Sequence, residues 1–312
     1  MIWSFLLFLT GFALVGVSAA RKSRGTADDY YLASRDVSPA LAGLSAVATN
    51  NSGYMFIGVI GYTYATGFAA IWLMIGWISG DYVASRYVHA RLRRLTEATG
   101  AVSFADVLSH WHGQRDVLLQ RLLALISLVF LLAYASAQLV AGSKALHVLF
   151  DWPMATGAFL GGLDAVWQQL HSIPGYMNAY PKELALPGLA GGVLFAVSWF
   201  FAGLSVIGQP HVMVRFMALN NGAHMNRARL WYSLWFIAFY AMATGVGLLS
   251  RLYLPDTANF DAELALPTMA LELLHPVLVG LVLAGVFAAT LSTADSLILS
   301  CSAALTHDLV PG

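Results

Sequence analysis

Ala289-Thr290-Leu291-Ser292-Thr293-Ala294-Asp295-Ser296 packs five ligating or hydrogen-bonding side chains into eight residues of an otherwise apolar run. Hydroxyls and a carboxylate at membrane depth are costly unless they face a cavity, an ion or another helix. A second polar set, Thr49-Asn50-Asn51-Ser52-Gly53, interrupts another apolar run near its middle. Asn, Ser and Gly favour non-helical backbone. Such backbone survives in a membrane only where it lines a cavity or is buried in protein. An unwound turn frees carbonyl oxygens, and nearby Ser and Thr add uncharged oxygens, which together suit sodium. Asn50, Asn51, Ser52, Ser292 and Thr293 are therefore the candidate ion-contacting set. Two plainer readings stand beside this one. The Asn amides make a polar helix–helix contact, or the Ser and Thr hydroxyls bond back to carbonyls one turn earlier. Asp295, one turn beyond, either handles cations or protons or has a structural role, and the structural role is preferred.

The elements that carry these sets follow from composition. The 312 residues are 59% hydrophobic and only 10% charged, with mean hydropathy +0.70. A soluble domain carries roughly 25% charged residues, so the chain reads as an all-α polytopic membrane protein. Equal numbers of acidic and basic residues imply no nucleic-acid partner. Apolar windows place seven spans near 2–20, 40–63, 67–88, 117–142, 188–210, 230–250 and 275–303, in one membrane domain over 1–312. The first apolar run has its positive charges after it, at Arg21, Lys22 and Arg24, so it is read as a span and not a cleaved leader. Seven crossings put 13 of the 16 basic residues on one side, leaving Lys144, Lys182 and Arg251 on the other. That bias predicts an outside N-terminus and an inside C-terminus.

Other features carry less. A long outer connection runs over 143–187, with a short helix expected between Asp164 and Lys182 and a non-spanning apolar piece at 152–162. Gly76 and Gly80 form a small-xxx-small pair that suits close helix packing. Gly208-Gln209-Pro210-His211 ends the fifth span, with Arg215 as an anchor at the inner surface. Cys301 is a small apolar packer. His110 and His112 lack the supporting ligands of a metal site. No phosphate-cradling loop, carboxylate pair or nucleophilic triad is present, so the chain is not read as an enzyme.

Taken together these segments resemble the sodium:solute symporter family, and within it the sodium/proline symporter branch. The resemblance is carried by Asp29–Arg35, by Leu44–Gly53 with Gly58 and Gly61, by Ser103–Leu108, by Gly208–Ala218 and by Ala289–Ser296. It implies a partial LeuT-like inverted-repeat fold in a bacterial cytoplasmic membrane, and sodium-coupled symport of a small organic solute, an amino acid or organic acid. It also implies a sodium site on the carbonyls of Ala48, Asn51 and Ala289 and the hydroxyls of Ser292 and Thr293. The solute would lie near Asn50, Ser52, Gly53 and Tyr54, and against Ala202, Val206 and Pro210. The chain departs from the branch at Asn50, where an aspartate is expected, and at Ala202 and Val206, where aromatic residues are expected. It is also shorter than the family, with helices missing after Gly312 and between about Phe159 and Gly162. Two alternatives follow from that: an inactive truncated member, or a transporter-like sensory module.

Overall fold

Inside a bilayer the backbone has no water to bond, so long apolar runs must satisfy themselves as helices. The computed structural model describes residues 2–21, 24–150, 163–254 and 259–309, with side chains described for these except 19–20, 143–150 and 163–165. The apolar piece expected at 152–162 lies outside the described residues. Helices follow in chain order: α1 Ile2–Ala20, α2 Ala27–Leu32, α3 Pro39–Tyr54, α4 Ile60–Thr66, α5 Ile71–Thr99, α6 Phe104–Ser109, α7 Val117–Phe150, α8 Leu163–Ser172, α9 Gly188–Leu204, α10 Pro210–Met217, α11 Met225–Tyr253, α12 Ala265–Leu273 and α13 Pro276–Ala303. Among the described residues the only β contact is an isolated bridge between Val37 and Leu219.

Among the described residues, five stretches are long and apolar enough to cross a membrane: Pro39–Thr99, Val117–Gly142, Gly188–Gly208, Gly222–Tyr253 and Pro276–Leu309. The first contains both the second and third crossings expected from sequence, because the chain reverses at Gly67, whose φ of 75° suits a residue without Cβ. Ile2–Ser18 is a shorter apolar helix. α5, α7 and α11 extend past the apolar windows expected from sequence. The short outer helix expected before Lys182 is α8.

Hydrogen bonds sort the connections into two ends. At one end the Arg35 guanidinium donates to the carbonyls of Thr96 (2.7 Å), Gly100 (3.0 Å) and Ala101 (3.3 Å) and pairs with Asp28. There too the Val37 amide donates to Ala218, the Arg93 guanidinium to the Leu219 carbonyl (2.7 Å), and Ser103 and Gln120 to the Asp308 carboxylate (2.7 and 2.6 Å). At the other end the Phe68 amide donates to Tyr176, the Trp72 indole to Ala179, the Tyr64 hydroxyl to Leu254 and the Ser4 hydroxyl to Pro276. The connections before α3, between α5 and α7, and between α9 and α11 thus meet at one end of the bundle, and the other connections meet at the opposite end.

Two seams hold the bundle. α9 lies along α5, where Gly76 and Gly80 admit the backbone of Trp199 and Phe200, and Gly203 admits the carbonyl of Trp77. The close packing expected of Gly76 and Gly80 is what the structure shows. The second seam joins α3, α7 and α13. A central core of Val47, Met55, Tyr64, Leu92, Phe216, Tyr232 and Phe236 fills the space between α3, α5, α10 and α11.

Candidate functional site

α3 begins cleanly. Ser38 caps it by accepting from the Leu41 amide, and Pro39 occupies its first turn, where no donor is needed. It ends in a break. Ser52 sits at φ 52°, ψ −165°, and the following Met55–Val59 turn is widened before α4 resumes. A serine at positive φ is disfavoured and persists only where its surroundings hold it. The holding contacts are identifiable. The Gly53 amide donates to Gln138 Oε1 of α7 at 3.2 Å, the Tyr54 amide donates to Ser52 Oγ at 3.1 Å, and the Tyr134 hydroxyl donates to the same Oγ at 3.3 Å. Gln138 of α7 therefore replaces a backbone bond that the broken helix loses, and Tyr134 fixes the Ser52 hydroxyl. The break falls inside the 49–53 segment that the sequence singles out.

Glycine lets the break meet the second polar set. A Cβ at position 53 would overlap the Thr290 methyl group, and one at Gly142 of α7 would crowd the Thr290 hydroxyl. α3, α7 and α13 thus converge on Thr290, one turn before Thr293. The plainer reading of the α13 hydroxyls holds for part of the motif only. Thr290 Oγ1 donates to the Phe287 carbonyl (2.7 Å), and Ser296 Oγ donates to the Ser292 carbonyl (2.9 Å). Thr293 does neither: it is fully buried, and its hydroxyl has no partner among the described residues. The Asn51 side chain is also buried, and neither its oxygen nor its nitrogen has a partner among the described residues. Unpartnered buried polar atoms cost about 1–3 kcal/mol each, and two such residues on facing helices call for something that uses them. Among the remaining expected ion ligands, Ala48 and Ser292 are exposed and Ala289 is half-buried. The Asn51 carbonyl accepts from the Met55 amide and keeps a second lone pair.

The expected solute residues are only partly brought together. Asn50 is half-buried and donates through Nδ2 to the Tyr232 hydroxyl at 2.8 Å. Ser52 and Gly53 are buried, and Tyr54 is exposed, its ring lying over Gly58. Pro210 lines a cavity of about 320 Å3 with Gln209, His211, Ser127 and Tyr134. Tyr134 connects this cavity to Ser52. Ala202 is half-buried on α9, the helix packed along α5, and Val206 is fully buried in the central core. Neither is among the residues lining that cavity.

Arg215 is more than an anchor. It is half-buried, its guanidinium bonds the Ser296 hydroxyl, and it lies within electrostatic reach of the exposed Asp295. The sequence reading missed that link, together with Gln138 and Tyr134. Their only sequence signal is a polar side chain inside the apolar run of α7. Cys301 is buried against Leu131, Ala135 and Leu297, as expected of a small packer. Among the described residues no group of His, Cys, Asp and Glu is arranged to hold a metal.

A helical bundle built around a broken membrane helix, with an unpaired hydroxyl on the helix facing it, defines a membrane protein of solute-transporter architecture. The model of the sodium:solute symporter family matches residues 30–167 and 158–311, and the chain belongs to that family. The membership places it among transport proteins and not enzymes. The two matched segments adjoin at 158–167, where the sequence reading expects helices of the family to be missing. The chain is 27% identical to the sodium/proline symporter of Escherichia coli (strain K12), over 99% of this chain and 70% of that protein. It is 28% identical to the sodium/proline symporter of Staphylococcus aureus (strain JH9), over 95% of this chain and 65% of that protein. The chain thus spans about two thirds of the length of these relatives. A Na+-coupled sialic acid symporter, solved in a substrate-bound outward-open state, has a similar fold, with a TM-score of 0.60 over 99% of this chain and 73% of that one. At 16% identity this likeness concerns the fold alone, and it agrees with the LeuT-like architecture implied by the sequence.

Proposed function

We propose that this chain carries out, or forms the core of a protein that carries out, sodium-coupled symport of a small organic solute. The observation that carries the reading is the pairing of the Ser52 break in α3 with the buried, unpartnered Thr293 hydroxyl and Asn51 side chain. Sodium is cargo here. Its ligands are the carbonyls of Ala48, Asn51 and Ala289 and the hydroxyls of Ser292 and Thr293. Neutral oxygens avoid burying a full carboxylate and let the ion leave again. The solute lies beside the break, near Asn50, Ser52, Gly53 and Tyr54, with Pro210 on the far wall. Ala202 and Val206 place no aromatic ring at those two positions, which favours an amino acid or organic acid other than proline. Sodium promotes solute binding only through a difference in affinity between states. By bridging α3 and α13 it stabilises the state in which the break is open to solute.

The end that gathers 13 of the 16 basic residues is cytoplasmic, so the N-terminus is outside and the C-terminus inside. With bacterial relatives, the membrane is the bacterial cytoplasmic membrane. The reading is tested in proteoliposomes, by uptake of radiolabelled amino acids and organic acids with and without an inward sodium gradient. Gradient-driven uptake that disappears in the Ser292→Ala/Thr293→Ala double variant is the expected result. Uptake indifferent to sodium, or to the double substitution, contradicts the reading.

A further inference from the structure

Several arginines at the end that gathers positive charge are answered by their neighbours. Arg35 pairs with Asp28, Arg93 with Glu97, Arg115 lies beside Asp106, and Arg91 covers the Trp111 ring at 4.3 Å. A like-charged pair stands apart from them. Arg86 of α5 is exposed and makes no hydrogen bond or ion pair among the described residues. Arg229 of α11 is only 6% exposed, and its guanidinium donates to two neutral oxygens, the Ser85 carbonyl at 3.5 Å and Asn226 Oδ1 at 2.5 Å. Ser85 immediately precedes Arg86. The bond to its carbonyl therefore brings the second guanidinium alongside the first, within electrostatic reach.

Among the described residues no carboxylate compensates this pair. Asp81, one turn before Ser85, is 1% exposed and belongs to none of the ion pairs. Glu97, further along α5, is taken by Arg93. α11 carries no acidic residue, and neither do α3, α9 and α10, which pack on α5 or α11. Asp106 of α6 is engaged by His110 and Arg115. His89 lies near Arg229 but stacks on Phe216 at 3.8 Å and offers no negative charge. An arginine that snorkels keeps its charge in water. Arg229 does not, and a buried guanidinium beside a second one is costly unless an anion joins them.

The depth of the pair says which anion. Arg229 immediately precedes the uncharged run 230–250 of α11, and Arg86 follows the run 71–85 of α5, whose only charged residue is Asp81. Both guanidiniums thus stand at the edge of the hydrocarbon layer. Tyr82, one turn before Arg86, is exposed and within electrostatic reach of Arg229, and tyrosine is enriched at headgroup level. Val83 and Leu230, next to these residues in the chain, are exposed apolar surface. Two cations above exposed hydrocarbon match a phospholipid, whose phosphate meets arginine forks and whose chains cover the apolar side chains. Basic pockets between membrane helices recognise anionic headgroups in this way.

We propose that Arg86 and Arg229, with Tyr82 beside them, form a binding site for the phosphate group of an anionic phospholipid. The lipid supplies the negative charge that the protein omits and joins α5 to the first turns of α11.

The test is thermal melting of the purified full chain in mild detergent, titrated with phosphatidylglycerol or with phosphatidylcholine of the same acyl chains. Expected is a saturable rise in melting temperature with phosphatidylglycerol that phosphatidylcholine does not give. Arg86→Gln weakens the apparent phosphatidylglycerol affinity about fivefold or more, the worth of one basic residue at an anionic surface, and does not lower the melting temperature in phosphatidylcholine, since Arg86 has no partner to lose. Arg121→Gln removes an exposed arginine of α7 and leaves the response unchanged. Arg86→Glu places a carboxylate beside Arg229, so that variant melts higher without anionic lipid and no longer responds to it. Native mass spectrometry of the same samples counts retained phosphatidylglycerol, one fewer in Arg86→Gln, and serves where a variant melts poorly. Equal gains from the two lipids, a response untouched by Arg86→Gln or Arg86→Glu, or an equal loss in Arg121→Gln overturns the proposal. The same gain from inorganic phosphate or glycerol phosphate also overturns it, because the site then takes a free anion. Neither solute nor a sodium gradient enters the experiment, so this site and the symport reading stand or fall separately.

Discussion

The α5–α9 seam and the α3–α7–α13 junction are both built on glycine, yet they are opposite kinds of contact. Along the first, Gly76, Gly80 and Gly203 let two backbones touch, and the unpartnered polar atoms left beside them are the indole N–H donors of Trp77 and Trp199, which offer no oxygen. At the second, Gly53 and Gly142 admit a threonine, and close by, Thr293 and Asn51 remain buried without partners. The same small-residue device therefore seals one seam and brings unsatisfied oxygens into the other. What separates packing from a site is whether the unpaired groups brought inside offer oxygen that a cation can use, not how closely the helices approach.

Substitutions that attack each side of this contrast should separate cleanly. The largest effect is expected from Thr293→Val, which keeps the shape and deletes one neutral oxygen: sodium affinity falls about ten- to hundredfold, read by titrating sodium-dependent fluorescence or heat, while thermal stability is held or gains. Next, Gly80→Leu forces a side chain into the Phe200 carbonyl and destabilises the bundle by about 1–3 kcal/mol or more, seen as a lower melting temperature in detergent; sodium affinity of the folded fraction is unchanged. Gln138→Leu leaves the Gly53 amide without an acceptor and costs about 1–3 kcal/mol, and here stability and sodium affinity fall together because the break itself is loosened. The smallest effect belongs to Thr290→Val. Its hydroxyl already bonds Phe287, so sodium affinity changes by less than about threefold, in line with a net hydrogen-bond worth near 1 kcal/mol or less. If Thr290→Val and Thr293→Val weaken sodium equally, the distinction between paired and unpaired hydroxyls is lost.

Much of this was legible before any coordinates. The crossings follow from apolar length, and the break follows from placing Asn, Ser and Gly where helix is otherwise obligatory. Local composition does not say which hydroxyl of α13 is paired, because that depends on the register of α13 against α3 and α7. Thr290 and Thr293 look alike in sequence; one reaches its own helix and the other does not. Gln138, Tyr134 and the Asn50–Tyr232 bond are hidden for the same reason. Asn50 and Tyr232 are separated by 182 positions, and only the packing of α11 against α3 brings them within 2.8 Å. Arg215 looked like a surface anchor because a basic residue after a proline-terminated span usually is one. Its bond to Ser296 requires α10 to fold back along α13, which no local pattern announces.

The central claim, that a gap in α3 and the free hydroxyl of Thr293 hold sodium between them, is tested most directly by a sodium-binding isotherm of the purified protein with potassium as the control. A saturable signal specific to sodium, strongly weakened by Thr293→Val and nearly untouched by Thr290→Val, is the predicted result. No response specific to sodium, or one that Thr293→Val leaves intact, would contradict the account.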